Sequence, residues 1–417
     1  MEKEITTDNN LKRFVFTETM NDYYYSPREI KYRIPNEFKD EKLLEFILAI
    51  RSRKSELLYN LLDQQGRSFW YWNIPRIEKM LHEIDIQRAR WQEVTTPSVL
   101  GDLLVRNLID EAYYSSWIEG AKTTHKRAHE MIRNHERPKD RSERMVLNNF
   151  RTMEFLLKSL PRPLDHEFVC ELHKIVTEAT LDPEDEPFSG QYRNDQVVVW
   201  DEAKQKVDYT APPASEVPNR MQDLYNWSNL EGVEFLFLHP VIKASIIHFY
   251  TVYVHPFFDG NGRTARALMY YYLLKHDYDF MKFFSISKAI ATNRKSYYQS
   301  ILNVEEYDSD LTYFLLYSVK MVLEAISVVE SEKRNEETLS DWFNKIRSQN
   351  IALNPRQEKL FQLHFRNKLL PITIKKYLKI TKVVYETGRS DLTDLCDKGL
   401  LQMSKRGREF IFDFKPL

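Results

Sequence analysis

The chain has 417 residues, 60 Lys and Arg against 61 Asp and Glu, 42% apolar residues, two cysteines and only ten glycines. At roughly 100–200 residues per domain this is room for more than one packed core, and the apolar content excludes an intrinsically disordered chain. Average usage of about 7% glycine would supply about 29, so turns are scarce and a mainly helical protein is expected.

The start, MEKEITTDNN, is charged and has no apolar core, unlike a secretory signal. Residues 1–40 are polar and tyrosine-rich (Tyr23, Tyr24, Tyr25), without a helical period, and read as an arm. Lys42 to Leu62 carries Leu43, Leu44, Phe46, Ile47, Ile50, Leu57, Leu58 and Leu61 at the spacing of one amphipathic helix. A second helix is expected after Pro75, a favoured first-turn residue. Further helices are expected over Val99–Ile118, Ser142–Leu160 and Asp165–Thr180. The period then changes: Val197–Trp200 and Val207–Tyr209 read as two short strands around a polar turn, stopped by Ala211-Pro212-Pro213. Helical pattern resumes at Pro218 and runs to about Lys333, with the charged run Glu330–Glu337 expected as a linker. The most apolar stretch, Phe235–Phe258, is interrupted by His239, Pro240, Lys243, His248 and His255 and reads as buried core, so no membrane span is expected there. Cys170 and Cys396 are too few and too far apart for a disulfide framework or a thiolate metal site, which points to a reducing, cytoplasmic setting.

Residues 255–266 read His-Pro-Phe-Phe-Asp-Gly-Asn-Gly-Arg-Thr-Ala-Arg. Gly260-Asn261-Gly262 lets consecutive backbone N–H groups converge on an anion, and the helix expected from Arg263 adds its N-terminal dipole. Arg263 and Arg266, three apart, offer planar donors for phosphate oxygens. Asp259 is a hard oxygen ligand suited to Mg²⁺, and His255 ends the apolar element as a candidate general base. Asn-Gly alone is a common turn and one Gly-x-Gly is a weak sign; Ala265 stands where a dinucleotide fingerprint needs its third glycine. The weight lies in a His, an acid, Gly-Asn-Gly and two spaced Arg within twelve residues.

HPFFDGNGRTAR resembles the signature of the Fic (filamentation induced by cAMP) family, with further likeness from about Leu100 to Ile326 that includes the GQYR segment. The resemblance implies a Fic-type helical bundle with a short β-hairpin flap at about 190–210 that would clamp a target segment by strand addition. It implies transfer of AMP from ATP to a Ser, Thr or Tyr hydroxyl of a target protein or of the chain itself, with His255 as base and Mg²⁺ on Asp259. Gly260, Asn261 and Gly262 would then hold phosphate oxygens, with Arg263 and Arg266 on the β- and γ-phosphates, and Asn293 and Tyr297 would line the adenine pocket. Ser115-Ser116-Trp117-Ile118-Glu119-Gly120 matches the [ST]xxxE[GN] inhibitory motif of one Fic class, so Ser115, Glu119 and Gly120 imply a brake in which Glu119 pairs with Arg266. Gly120 is also where a helix stop is expected.

The near-zero net charge hides a basic tail. Arg366–Arg408 holds 11 Lys and Arg against four acids, Glu386, Asp391, Asp394 and Asp397. Pro371 is expected to open a helix through Ile372, Ile374, Tyr377 and Leu378. A break at Ile380-Thr381 leads to a second helix through Val383, Val384, Leu392 and Leu395. Leu400–Met403 and Phe410–Phe414 read as strands. That order resembles a winged helix-turn-helix, with DNA contact or protein docking as its readings. The expected organisation is an N-terminal arm and helical region over 1–100, the Fic core with its inhibitory helix at about 101–120 over 101–335, and linker plus winged helix over 336–417. The leading expectation is an autoinhibited protein adenylyltransferase. Its competitors are a nucleotide-sensing DNA-binding regulator without transfer, and a Fic enzyme with another donor or with AMP-removing activity. A homodimer is left open.

Overall fold

A computed structural model of the chain describes residues 2–38, 41–92, 97–201, 206–230, 237–367, 371–407 and 409–415. It forms two compact units, Met1–Ile326 and Ser327–Leu417. The first 100 residues thus belong to the same unit as the core that follows, and the boundary lies nine residues earlier than expected, between 326 and 327.

The N-terminal segment corrects the sequence reading twice. Residues expected as an arm form helix α1 (Glu2–Asp22) and helix α2 (Pro27–Arg33). The signal for α2 is local: Ser26 Oγ accepts from the Glu29 amide at 3.3 Å while Glu29 Oε2 accepts from the Ser26 amide at 2.9 Å, a capping box followed by Pro27. Met20, Ile30, Phe38, Leu43 and Ile47 then close a small core. The single helix expected over 42–62 is instead helix α3 (Glu41–Arg53) followed by strand β1 (Glu56–Leu62), which pairs with strand β2 (Ser68–Tyr71). A bulge misleads here. Asn60 adopts φ 72°, so Leu58 and Leu61 face inward three residues apart, a strand imitating a helical period. This region docks on the core: the Tyr24 hydroxyl donates to Asp310 Oδ2 at 2.6 Å, and Arg51 Nη1 donates to the Tyr313 hydroxyl at 2.9 Å.

Helix α4 (Pro75–Gln92) begins at its proline, as expected, and helix α5 (Pro97–Ile118) follows. Helix α6 (His125–Arg133) starts at the Thr124 cap, α7 (Arg141–Ser159) at Asp140 and α8 (His166–Thr177) at Asp165, each capping oxygen accepting an amide of the first turn. Strands β3 (Val198–Asp201) and β4 (Lys206–Thr210) pair antiparallel where the period changes; their turn, 202–205, lies outside the described residues. Helix α9 (Val217–Ser228) precedes the central pair, α10 (Pro240–Val254) and α11 (Asn261–Lys275). Both central helices are buried on nearly every face, which is why their apolar residues show no amphipathic period. The first two residues of the apolar run, 235 and 236, lie outside the described residues. Helices α12 (Ile286–Thr292) and α13 (Arg294–Glu306) lead into α14 (Thr312–Ser348).

The charged run 330–337 lies inside α14 and is not a linker. Its Glu, Lys and Arg are strong helix formers and need no burial to stay helical. Among the described residues α14 is the one helix long and apolar enough to cross a membrane, yet Phe314, Leu315, Val319 and Val322 are buried in the protein, the position of a core helix.

The second unit contains α15 (Pro355–Asn367), β5 (Ile372–Thr373), α16 (Ile374–Thr381), α17 (Tyr385–Asp397), β6 (Leu401–Arg406) and β7 (Glu409–Phe414). Its sheet has the order β5-β7-β6. Ile372 is a strand residue, not the helical one expected. The break between helices falls at Lys382–Val384, after Lys382 closes α16 in a left-handed conformation. Leu360, Tyr377, Leu392, Leu401 and Phe412 are buried at the centre of this unit. Residues 368–370 and 408 of the basic tail lie outside the described residues.

Candidate active site

The site forms where α10 ends and α11 begins. His255 closes α10 at φ 51°, a left-handed turn that sends the chain back across the helix end. Its Nδ1 lies 3.2 Å from the Val252 carbonyl; donation there leaves Nε2 with a free lone pair. Burial is the main influence on this imidazole and lowers its pKa below 6.5, so the neutral form prevails at neutral pH.

The loop after His255 is held from three sides. Asn261 Nδ2 donates to the Phe257 carbonyl at 2.7 Å and its Oδ1 accepts the Phe257 amide at 2.9 Å. Its side chain is therefore engaged in holding the loop, and its backbone N–H keeps the anion-facing role expected of the Gly-Asn-Gly segment. His173, on α8, stacks under Phe257 with ring centroids 3.6 Å apart. Its Nδ1 accepts the Gly190 amide at 3.0 Å and its Nε2 donates to the Asp259 carbonyl at 2.9 Å. Burial pushes its pKa down to about 4, keeping the neutral tautomer that both bonds need. Arg193 is the third support: Nε donates to the His255 carbonyl at 2.8 Å, Nη1 to Asp195 at 2.8 Å and Nη2 to Pro212 at 2.5 Å. It thereby joins the motif loop to the segments that lead into β3 and out of β4. Neither His173 nor Arg193 is among the site residues expected from sequence. Arg193 stood in the GQYR segment, and His173 sits among the inward residues Phe168, Val169, Leu172 and Val176, where a polar residue needs a partner.

Gly260 precedes α11 with φ 82°, and an added Cβ would press on Thr177 Cγ2 at 2.8 Å. Asp259 is part-exposed, with Oδ2 3.4 Å from Arg263 Nη2 and 3.5 Å from Arg141 Nη2. The two motif arginines, expected to act together, diverge. Arg263 is fully buried and its Nη1 donates to the Val176 carbonyl at 3.1 Å. Arg266 turns towards α5: Nε donates to Ser115 Oγ and Nη2 to the Ser115 carbonyl, both at 2.9 Å, while Nη1 meets Glu119 Oε1 at 3.0 Å. Glu119 lies just past the end of α5, beside Gly120 at φ 91°. Its carboxylate rests against Gly262, where any Cβ would collide with Oε1. The absence of a side chain at Gly262 thus makes room for an anionic group over the first turn of α11.

Asn293 and Tyr297 fall on the same side of the sequence but serve differently. Asn293 is exposed and caps α13, its Oδ1 accepting the Ser296 amide at 3.2 Å. Tyr297 is buried, with its hydroxyl 2.9 Å from His248 Nε2. Burial and the nearby Arg266 charge push the His248 pKa down to about 3.

Residues 163–273 match the model of the Fic/DOC family. Protein adenylyltransferase Fic of Nematostella vectensis is 28% identical over 229 residues, covering 51% of this chain and 49% of that protein. The protein of the same name from Drosophila erecta is 34% identical over 110 residues, 26% of this chain and 20% of the relative. The chain therefore spans about half the length, or less, of these curated relatives. A Fic family protein from Desulfovibrio desulfuricans G20 superposes with a TM-score of 0.50 at 19% identity, covering 82% of this chain and 97% of that one. Fic-1 from C. elegans superposes with a TM-score of 0.52 at 22% identity, covering 62% and 73%. These last two establish likeness of fold. The motif loop lies inside the matching segment, so residues 163–273 form a Fic/DOC family domain within a helical fold like that of solved Fic proteins.

Proposed function

We propose that the chain is a protein adenylyltransferase that moves AMP from ATP to a Ser, Thr or Tyr hydroxyl of a target protein or of itself, and that Glu119 restrains it. One observation carries the reading: a carboxylate already rests on Gly262 and Arg266, in the place an ATP phosphate would take. The names of the curated relatives support the same activity.

In this mechanism His255 Nε2 takes the hydroxyl proton as the oxygen bonds to the α-phosphorus. The bond from that phosphorus to the α,β-bridging oxygen breaks and pyrophosphate leaves. The amides at the start of α11 face the phosphates, whose negative charge the helix N-terminus favours. Arg266, once free of Glu119, grips the terminal phosphates; it cannot serve both anions with one planar edge. Arg263 acts chiefly by orienting Asp259, given its bond to Val176. Mg²⁺ fits the part-exposed Asp259 carboxylate, an oxygen donor in loose contact with two arginines; when bound it neutralises phosphate charge. Tyr297 and Asn293 close the nucleotide end, Tyr297 by packing. The target segment adds as a strand to the β3–β4 pair, which Arg193 couples to the loop.

Intact-mass analysis of the Glu119→Gly chain after incubation with ATP and Mg²⁺ tests the proposal. Addition of AMP groups is expected on the chain or on a co-incubated lysate protein. No addition, with ATP binding intact, overturns it.

A second reading concerns the C-terminal unit. Its order of helix, strand, two helices and hairpin supports a winged-helix reading, and Lys375, Lys376, Lys379, Lys382, Arg389, Lys405 and Arg406 are exposed on it. We infer contact with the DNA backbone, to be read as duplex binding by the whole chain that weakens steeply with salt. Salt-independent binding, or none, counts against it.

A further inference from the structure

A cluster outside the transfer site brings together three metal-ligating side chains. Asp110 lies on α5, and His125 and His129 lie on α6, four residues apart and so on one helix face. His125 Nε2 is 2.7 Å from Asp110 Oδ1, and His129 Nε2 is 2.9 Å from the same oxygen. The two imidazole rings lie 4.5 Å apart, and all three ligand atoms fall within 4.8 Å of one another. The side chain of Asp110 is 5% exposed, His129 20% and His125 44%, so the cluster has a buried floor and an open side.

We propose that Asp110, His125 and His129 bind a divalent transition ion of the Zn²⁺ type. Two imidazole nitrogens and one carboxylate oxygen are a donor set that suits Zn²⁺ or Co²⁺, whereas Mg²⁺ prefers oxygen alone. Zn–N and Zn–O distances of about 2.0–2.1 Å require tetrahedral ligand atoms roughly 3.3 Å apart. The two His Nε2–Asp110 Oδ1 separations, 2.7 and 2.9 Å, are slightly shorter than that, and small rotations of the two partly exposed rings open the space. Lys288 Nζ holds the other carboxylate oxygen, Oδ2, at 3.1 Å and fixes the carboxylate plane from outside the ligand set. The open side leaves a fourth position for water. An ion here ties α6 to α5, the helix that leads to Glu119, and the inference does not depend on the transfer chemistry.

The test is titration of the tag-free, chelator-treated full chain with Co²⁺, followed by visible absorption, with Zn²⁺ and Mg²⁺ as competitors. Cys170→Ser removes the contact between Cys170 and His166 as a rival site. Wild type and Cys170→Ser are expected to bind one equivalent with a tetrahedral Co²⁺ band that Zn²⁺ abolishes and Mg²⁺ does not. His125→Ala, at the more exposed ligand, should weaken binding roughly tenfold or more, since even outer-shell changes cost about 10–100-fold. His125→Ala/His129→Ala should lose the band. Absence of the band in wild type, or a band unchanged in His125→Ala, overturns the proposal.

Discussion

The two halves of the candidate site are held in different ways. The loop from His255 to Asn261 is fixed by its own surroundings: Asn261 clasps Phe257, His173 bridges Gly190 and Asp259, and Arg193 gathers the carbonyls of His255, Asp195 and Pro212. Several of these contacts end on backbone groups of the loop itself. The Arg266 end depends instead on Ser115 and Glu119 of another segment, and the Glu119 contact is a single ion pair whose carboxylate is 29% exposed. On the proposed function, the His255 side gains rigidity from these supports, and the Arg266 side can exchange Glu119 for another anion.

Substitutions on the two sides should therefore act in opposite directions. The largest effect is expected from His255→Ala in the Glu119→Gly background: a loss of about 10²–10⁴-fold in transfer, with ATP binding retained. Because burial lowers the His255 pKa, its neutral form persists below pH 6.5. The rate should hold through neutral pH and fall only as pH drops through that lowered value. An acid limb above 6.5 would contradict the assigned base. Next comes Glu119→Gly alone. A charge-assisted hydrogen bond of about 1.5–3 kcal/mol, at tenfold per about 1.4 kcal/mol, predicts a gain of roughly ten- to a hundredfold in labelled-ATP transfer. Arg193→Lys keeps the charge but loses the planar fork, and should lower kcat about tenfold with little change in KM for ATP. A change in KM alone would place Arg193 in nucleotide binding rather than in loop support.

The smallest effect is thermal. The neutral His173 is favoured in the folded state, since its pKa falls from 6.5 to about 4 on burial. Its contribution is present above pH 6.5 and is lost as pH falls towards 4, when protonated Nδ1 can no longer accept the Gly190 amide. Melting temperatures of wild type should drop over that window more than those of His173→Gln. Equal drops would remove His173 from the loop's support.

How much of this could be read in sequence follows from the range of the interactions. The motif was legible because its chemistry lies within twelve consecutive residues, and α7, α8 and the β3–β4 pair because their caps and periods are local. The 56–62 strand was not, because the bulge at Asn60 gives its leucines a helical spacing. The opposed directions of Arg263 and Arg266 were not legible either. Three residues apart on a helix places them near one another, but their partners, Val176 and Ser115 with Glu119, come from helices far away in the chain. His173 escaped for the same reason: its acceptor is a carbonyl 86 residues downstream. Residues that support a loop through distant backbone groups can stand out as polar among inward apolar residues, as His173 does, but their partners leave no pattern along the chain.

Whether Glu119 acts through Arg266 is tested directly by one comparison. Transfer from α-labelled ATP should be measured for wild type, Glu119→Gly and Glu119→Gly/Arg266→Ala, with nucleotide binding followed in parallel. Transfer is expected to rise on removing Glu119 and to lose that rise when Arg266 is also removed. A rise that survives without Arg266, or none in Glu119→Gly while ATP still binds, would contradict action through Arg266.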